Sequence, residues 1–226
     1  MTAINGSIIG LLLLMVASAW AGTFKDDFND GNDDGWQRWG SNTPNPIGKW
    51  EFVDGRYVIT IANNYAVSVW GEKKWADYTV EIRARSTNGL GGFGLKVRVQ
   101  DPMNFYIWDL NASSNTLFWG LLNNNQFTIM TQDPAPGDRL KEHLFKVVAS
   151  GDQFEGYYDG KLIRKWRNEL PKFKTGRVGI GIGLVVRAQA VFDDFVMTGD
   201  EVPDSGFAVS PQDKLATMWA TIKQGR

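Results

Sequence analysis

Cysteine is absent from the 226 residues and histidine occurs once, at His143. Thiol nucleophiles, disulfides, Cys-based zinc sites and triads drawing on several histidines are excluded, and any metal would have to be held by oxygen. Neither sign of charge is in excess, since 24 Lys plus Arg oppose 25 Asp plus Glu. That balance gives no electrostatic reason to bind nucleic acid or an anionic membrane. Long apolar runs are missing too: Ile8 to Val16 falls short of the ~20 residues a spanning helix needs. What is plentiful is apolar and aromatic side chains, 43% and 13% of the chain, with ten Trp and 25 Gly. Such a chain has enough apolar surface for the core of one large all-β domain, with aromatic surfaces carried on turn-rich strands.

The apolar run contains Leu11 to Leu14 and is followed by Ala19-Trp20-Ala21, an A-x-A peptidase site before Gly22. It reads as a signal peptide over residues 1–21, although Met1 to Ser7 carries no Lys or Arg. The expectation is export to the periplasm, cell envelope or medium, with no stable membrane insertion after cleavage. Residues 22–200 form the domain, and residues 201–226 read as a linker and a short amphipathic helix. In that tail Ser210 caps, Pro211 takes the first helical position, and Leu215, Met218, Trp219 and Ile222 form one apolar stripe. The stripe is expected to dock on the domain's own surface or on a partner.

Between Thr23 and Gly199 short alternating runs are separated by Gly, Asn, Asp and Pro, with no helical period. Strands are expected over Tyr57–Ala62, Tyr78–Arg85, Gly94–Gln100, Asn104–Asn111, Thr116–Leu122, Phe127–Thr131, His143–Ala149, Gln153–Tyr158, Leu162–Arg167, Arg177–Val186 and Ala190–Thr198. Asp159-Gly160 predicts a two-residue hairpin turn. Alternation sends Val80, Ile82 and Ala84 inward with Glu81, Arg83 and Arg85 outward. It likewise sends Leu95, Val97 and Val99 inward, leaving Lys96, Arg98 and Gln100 on a polar outer face. In Gly179-Ile180-Gly181-Ile182-Gly183 the glycines share one face and leave a flat strip, which a neighbouring aromatic is expected to fill or on which a sugar ring would lie.

Six segments in order carry a resemblance to a known family: Asp26 to Trp36, Trp50 to Tyr57, Val97 to Tyr106, Tyr157-Tyr158-Asp159-Gly160, Gly176 to Gly179 and Ala190 to Phe195. Together they resemble the concanavalin A-like lectin and glucanase superfamily, in particular its laminin G-like modules and the related 3-keto-disaccharide hydrolase family. The resemblance implies an all-β, two-sheet antiparallel jelly-roll β-sandwich, with glycan commonly bound on the concave sheet or its rim loops. It does not fix function, since such folds host lectins, glycosidases and adhesion modules alike.

Within that frame, Asp26, Asp27, Asp30, Asn32, Asp33 and Asp34 place six oxygen-bearing side chains within nine residues. Calcium prefers such oxygen donors. The pairing of terminal strands that the resemblance implies would add Asp193 and Asp194, so a structural Ca2+ on Asp26, Asp27, Asp30, Asn32, Asp34, Asp193 and Asp194 is expected, the alternative being a solvated acidic turn. For sugar, an aromatic platform beside bidentate hydrogen-bonding groups is needed, and Arg83, Arg98, Lys146, Glu155 and Tyr157 with Trp39, Trp70 and Trp75 offer that mix. A retaining glucanase of family 16 would carry an E-x-D-x-x-E or E-x-D-x-E strand, but the nearest match, Glu81-Ile82-Arg83-Ala84-Arg85, has arginines where carboxylates should stand. Were the chain an enzyme, Glu81, Glu155 and Asp109 are the candidate carboxylates. The leading expectation is an exported carbohydrate-binding module for oligosaccharide or polysaccharide. A hydrolase or lyase on a modified disaccharide is the alternative, and an adhesion module acting through the tail helix the third. Two motifs are set aside: Gly89 to Gly94 spells G-x-G-x-x-G but precedes a strand, and His143 has no catalytic partner in the sequence and is given a capping or surface role.

Overall fold

The computed structural model describes residues 21–41, 48–168, 171–183 and 187–204. The expected signal peptide, apart from Ala21, and the expected tail helix lie outside the described residues. All described strands pair antiparallel in two sheets. One is ordered β13 (Lys161–Arg167), β12 (Gln153–Tyr158), β11 (His143–Ser150), β6 (Tyr78–Ser86), β15 (Ala188–Gly199), β4 (Arg56–Ile61), β3 (Lys49–Val53), and β1 (Gly22–Asp26) also pairs with β15. The other runs β10 (Gln126–Pro134), β9 (Thr116–Asn123), β8 (Asn104–Asn111), β7 (Gly92–Asp101), β14 (Arg177–Gly183), β5 (Ala66–Trp70), β2 (Gln37–Gly40). Among the described residues no helix is long and apolar enough to cross a membrane.

Every run expected from alternation holds a strand, that from Arg177 running to Gly183, where that described stretch stops. The predicted turn forms as well, Asp159 and Gly160 both having positive φ, 50° and 76°, as a type I′ hairpin requires. The inward residues of the two sheets make one core. Trp108 and Trp119 of one sheet lie 5.0 Å apart, and Trp119 meets Phe154 of the other at 5.5 Å. Gly156 makes room for this, since a Cβ there would stand 2.7 Å from the Trp108 ring. Truncating a tryptophan so placed costs about 3–5 kcal/mol.

Among several register shifts, those in β7 and β15 shape the surfaces described below. In β7 the register shifts between Val97 and Asp101, and Arg98 takes φ of 51°. The extra residue corrects the expected faces: Val97 stays in the core, Val99 turns to the opposite face, and Arg98 is wholly buried rather than outward. Its guanidinium donates to the carbonyls of Gly151 at 2.7 Å and Ala76 at 3.2 Å and lies 4.8 Å over Phe154. In β15 the register shifts between Asp193 and Val196, with Asp194 at φ 51°. There the far edge of β15 passes from pairing β4 through Phe192 to pairing β1 from Phe195 onward.

Candidate functional site

The outer face of the seven-stranded sheet is apolar. Along β8, Tyr106, Trp108 and Leu110 join the core, while Phe105 and Ile107 join a second cluster with Val67, Val69, Val99, Phe118 and Leu122. This cluster draws no member from the eight-stranded sheet, so it lies on the side away from the sandwich interior. Lys96 and Asp109 sit among these residues. In the β7–β8 ladder Lys96 is opposite Ile107 and Asp109 opposite Gly94, which makes the two side chains diagonal neighbours on one face. Gly94 leaves space for the carboxylate: a Cβ there would stand 3.0 Å from Asp109 Oδ1. Lys96 Nζ donates to Asp109 Oδ1 at 2.6 Å and to the Gly181 carbonyl at 3.3 Å, with the residues only 3% and 2% exposed.

The pair floors a hollow of about 70 Å³ lined by Tyr65, Val67, Phe105, Ile107, Leu122 and Phe127. Tyr65 is fixed by donating its hydroxyl to the Pro102 carbonyl at 2.5 Å and meets Phe105 edge to face. Phe127, from edge strand β10, is 36% exposed at the rim. Burial pushes Asp109 up to about 6 against the pull of Lys96, and burial lowers Lys96 against the pull of Asp109. Asp109 Oδ2 has no hydrogen-bond partner among the described residues. Lys96 retains one N–H beyond the two it donates. A buried ion pair seldom stabilises a fold more than apolar side chains of the same volume would. One with an idle donor and acceptor on an apolar hollow has the character of a binding site.

A second hollow, about 310 Å³ and open, lies on the eight-stranded sheet beside the β15 bulge. It gathers Lys25, Asp26, Asp27, Glu81, Arg83 and Asp194 over Phe195. The bulge splays two adjacent carboxylates: Asp194 meets Arg83 at 3.2 Å, and Asp193 meets Arg56 at 3.5 Å. Burial and Asp194 push Asp193 up to about 6. Burial also raises Asp26, whose oxygens accept from Phe28 N at 2.9 Å and Trp36 Nε1 at 2.8 Å. The expected junction of terminal strands is present, for Asp26 pairs with Phe195. The carboxylates do not converge on a cation, however. Asp27, Asp30 and Asn32 cap the amides of Asn29, Asn32 and Asp34, and Asp33 is held by Arg38. Among the described residues no three acidic or His side chains are grouped to hold a metal ion. Asp27 and Asp30 each spend one carboxylate oxygen on these turns, and nothing below is derived through a calcium ion.

No protein-family model matches the chain. A solved carbohydrate-binding module, CBM66 from Bacillus subtilis, superposes with a TM-score of 0.60 at 22% identity, covering 71% of this chain and 93% of that one. The chain has the concanavalin A-like jelly-roll fold. Two curated relatives match by sequence. The extracellular exo-alpha-L-arabinofuranosidase of Streptomyces chartreusis is 33% identical over 187 residues, 77% of this chain. The levanase of Bacillus subtilis (strain 168) is 24% identical over 141 residues, 59% of this chain. The chain spans about a fifth of the length of these relatives, 22% and 20%.

Within this jelly roll the sequence-predicted residues separate. Arg83, Lys146, Glu155 and Tyr157 do share the outer face of the eight-stranded sheet, but as exposed or half-buried pairs. Lys146 meets Glu81 at 2.9 Å, and Glu155 takes Lys165 at 2.7 Å and the Tyr157 hydroxyl at 2.6 Å. Two expected ligand residues are corrected, because each is buried as part of the scaffold: Arg98 as described, and Trp75, 2% exposed against Trp70. Trp70 itself stacks on Phe24 at 3.6 Å, whereas Trp39 borders the outer apolar cluster with Arg177 over its ring. The three candidate carboxylates do not meet, since Asp109 lies on one sheet and Glu81 and Glu155 on the outer face of the other. The glycine strip is filled chiefly by aliphatic neighbours, the would-be Cβ positions of Gly179 and Gly181 abutting Val69 and Val67, while that of Gly183 abuts Tyr65. His143 is a buried clip rather than a surface residue, with Nδ1 2.7 Å from Asp159 Oδ2 and Nε2 2.8 Å from the Asp138 carbonyl.

Lys96 was missed because outward was equated with exposed. A signal was present in Phe105-Tyr106-Ile107-Trp108, whose unbroken apolar run marks a strand buried on both faces. Charges opposite such a strand are buried with it.

Proposed function

We propose that the chain is a carbohydrate-binding module that works outside the cell and holds sugar at the outer-face hollow of the seven-stranded sheet. The observation that carries this is the floor of that hollow, a desolvated Lys96–Asp109 pair with one donor and one acceptor left over, framed by aromatic and aliphatic walls. Sugars present C–H patches beside hydroxyls, and this arrangement answers both. The comparisons support the reading in kind. The chain matches about a fifth of two long carbohydrate-active enzymes, one of them named as extracellular, and nearly all of a carbohydrate-binding module. Catalysis has less support, because Asp109 stands on one sheet and Glu81 and Glu155 on the other, where both are already ion-paired.

The test is isothermal titration of the full chain with levan, arabinan, laminarin and galactan. At least one is expected to bind and to be recovered uncleaved. The Asp109→Ala substitution is expected to weaken that binding about 10- to 100-fold, the range set by one buried hydrogen-bonding group left without its partner. Binding unaffected by changes at Lys96 and Asp109 would move the site elsewhere, and cleavage of the polymer would make the chain an enzyme.

A further inference from the structure

The outer-face hollow is too small for a sugar ring. A water needs ~10–15 Å³ of such space, so about 70 Å³ admits a few non-hydrogen atoms. A ring must therefore stay at the mouth, against Tyr65 and the partly exposed Phe127, and send one arm down. The walls the arm passes, Val67, Ile107 and Leu122, carry no polar side-chain atom, which favours a methylene stem. At the floor Lys96 has one N–H left and Asp109 one oxygen left among the described residues. A hydroxyl is donor and acceptor at once and satisfies both. A carboxylate would meet Asp109 and an ammonium would meet Lys96, each a like-charge contact where burial makes it costly. A methyl would leave both groups unanswered.

We infer that Lys96 and Asp109 read a hydroxymethyl arm, a CH2–OH reaching from a sugar ring at the mouth of the hollow, and that they set the specificity of the site. This rests on the carbohydrate reading and deepens it. The sugar named in the arabinofuranosidase relative carries such an arm. The pair would thus be retained for selecting a ligand rather than for stability.

The experiment is calorimetric titration of the full chain with methyl glycosides that differ at the arm alone. One series is methyl β-D-glucopyranoside with its 6-deoxy analogue, methyl β-D-xylopyranoside, which lacks the arm, and methyl β-D-glucuronide, which ends it in a carboxylate. The other is methyl α-L-arabinofuranoside with its 5-deoxy analogue. In whichever series binds, the hydroxymethyl member is expected to bind at least about 10-fold more tightly than the rest. The Lys96→Met/Asp109→Leu double variant, whose floor is apolar, is expected to abolish or reverse the preference over the deoxy analogue, with its fold checked by circular dichroism. Equal binding of the deoxy or carboxylate members would overturn the hydroxymethyl assignment while leaving a sugar site in place. A preference that survives in the folded double variant would overturn the role of the pair. Failure of every glycoside and of the four polymers would overturn the carbohydrate reading itself, and the assignment with it.

Discussion

The two sheets each carry a hollow on the outer face, and they treat charge in opposite ways. On the eight-stranded sheet, beside the β15 bulge, charges are many, exposed or half-buried, and mutually redundant: Arg83 with Asp194, Arg56 with Asp193 and Glu142, Lys146 with Glu81. The hollow on the seven-stranded sheet is lined by one cation and one anion, both buried, in an apolar setting. Exposed pairs are worth about 0–1 kcal/mol and are screened by salt. A buried pair costs desolvation and makes its few remaining hydrogen-bonding positions selective. The hollow with fewer polar groups is thus the better candidate for recognition.

The largest effect that sharpens this comparison is expected from breaking the buried pair on one side only. Asp109→Ala strands Lys96 in an apolar site and should lower unfolding free energy by about 3–5 kcal/mol, whereas Lys96→Met/Asp109→Leu should stay within about 1.5 kcal/mol of the parent. Urea titration followed by tryptophan fluorescence reads both. A single variant as stable as the double one would mean that the pair is hydrated rather than buried. Next in size is a scaffold effect within β7. Arg98→Met removes a guanidinium that ties three carbonyls together, those of Phe173, Ala76 and Gly151, and should cost about 2–3 kcal/mol while leaving sugar affinity unchanged. Lost affinity at full stability would return Arg98 to the binding surface that alternation first gave it. Third, Arg83→Ala and Asp194→Ala in the open hollow should each shift stability by about 1 kcal/mol or less and affinity by less than about twofold. A tenfold loss of sugar binding in either would transfer the site to the eight-stranded sheet.

Much of the fold was legible because alternation and the Asp159-Gly160 turn are local properties. What escaped was β1, β2, β3 and β5, each four or five residues long, too short for a period to show. The bulges also escaped, because positive φ at Arg98 and Asp194 follows from tertiary ties such as the Tyr78 hydroxyl accepting from Arg98 N at 2.8 Å. The site was half legible. Asp109 was singled out as a candidate catalytic carboxylate rather than as half of a buried ion pair, and Lys96 was given the correct direction but the wrong environment. Sequence assigns faces, whereas which outer face is dry depends on neighbours four strands wide.

A last expected effect is a pH dependence in which stability and binding part company. Asp109 is raised to about 6 by burial, above its unfolded value near 3.8. The folded state therefore holds this proton more tightly than the unfolded chain does. The group's contribution to stability is fully present below pH 3.8 and is lost as pH rises through 6. Binding runs the other way, because protonating Asp109 removes the anion that orients Lys96 and turns the remaining acceptor into a donor. Lowering pH from 7.5 to 5 should thus stabilise the parent relative to Asp109→Asn by on the order of 1 kcal/mol. Over the same range, affinity for the best-binding methyl glycoside should fall several-fold, with its midpoint near 6. Asp193, also raised to about 6, has the same sign for stability and lies on the other sheet, so Asp193→Asn should alter the melting profile without touching the binding profile. If both profiles follow Asp193 and neither follows Asp109, the open hollow, not the buried pair, is the functional one.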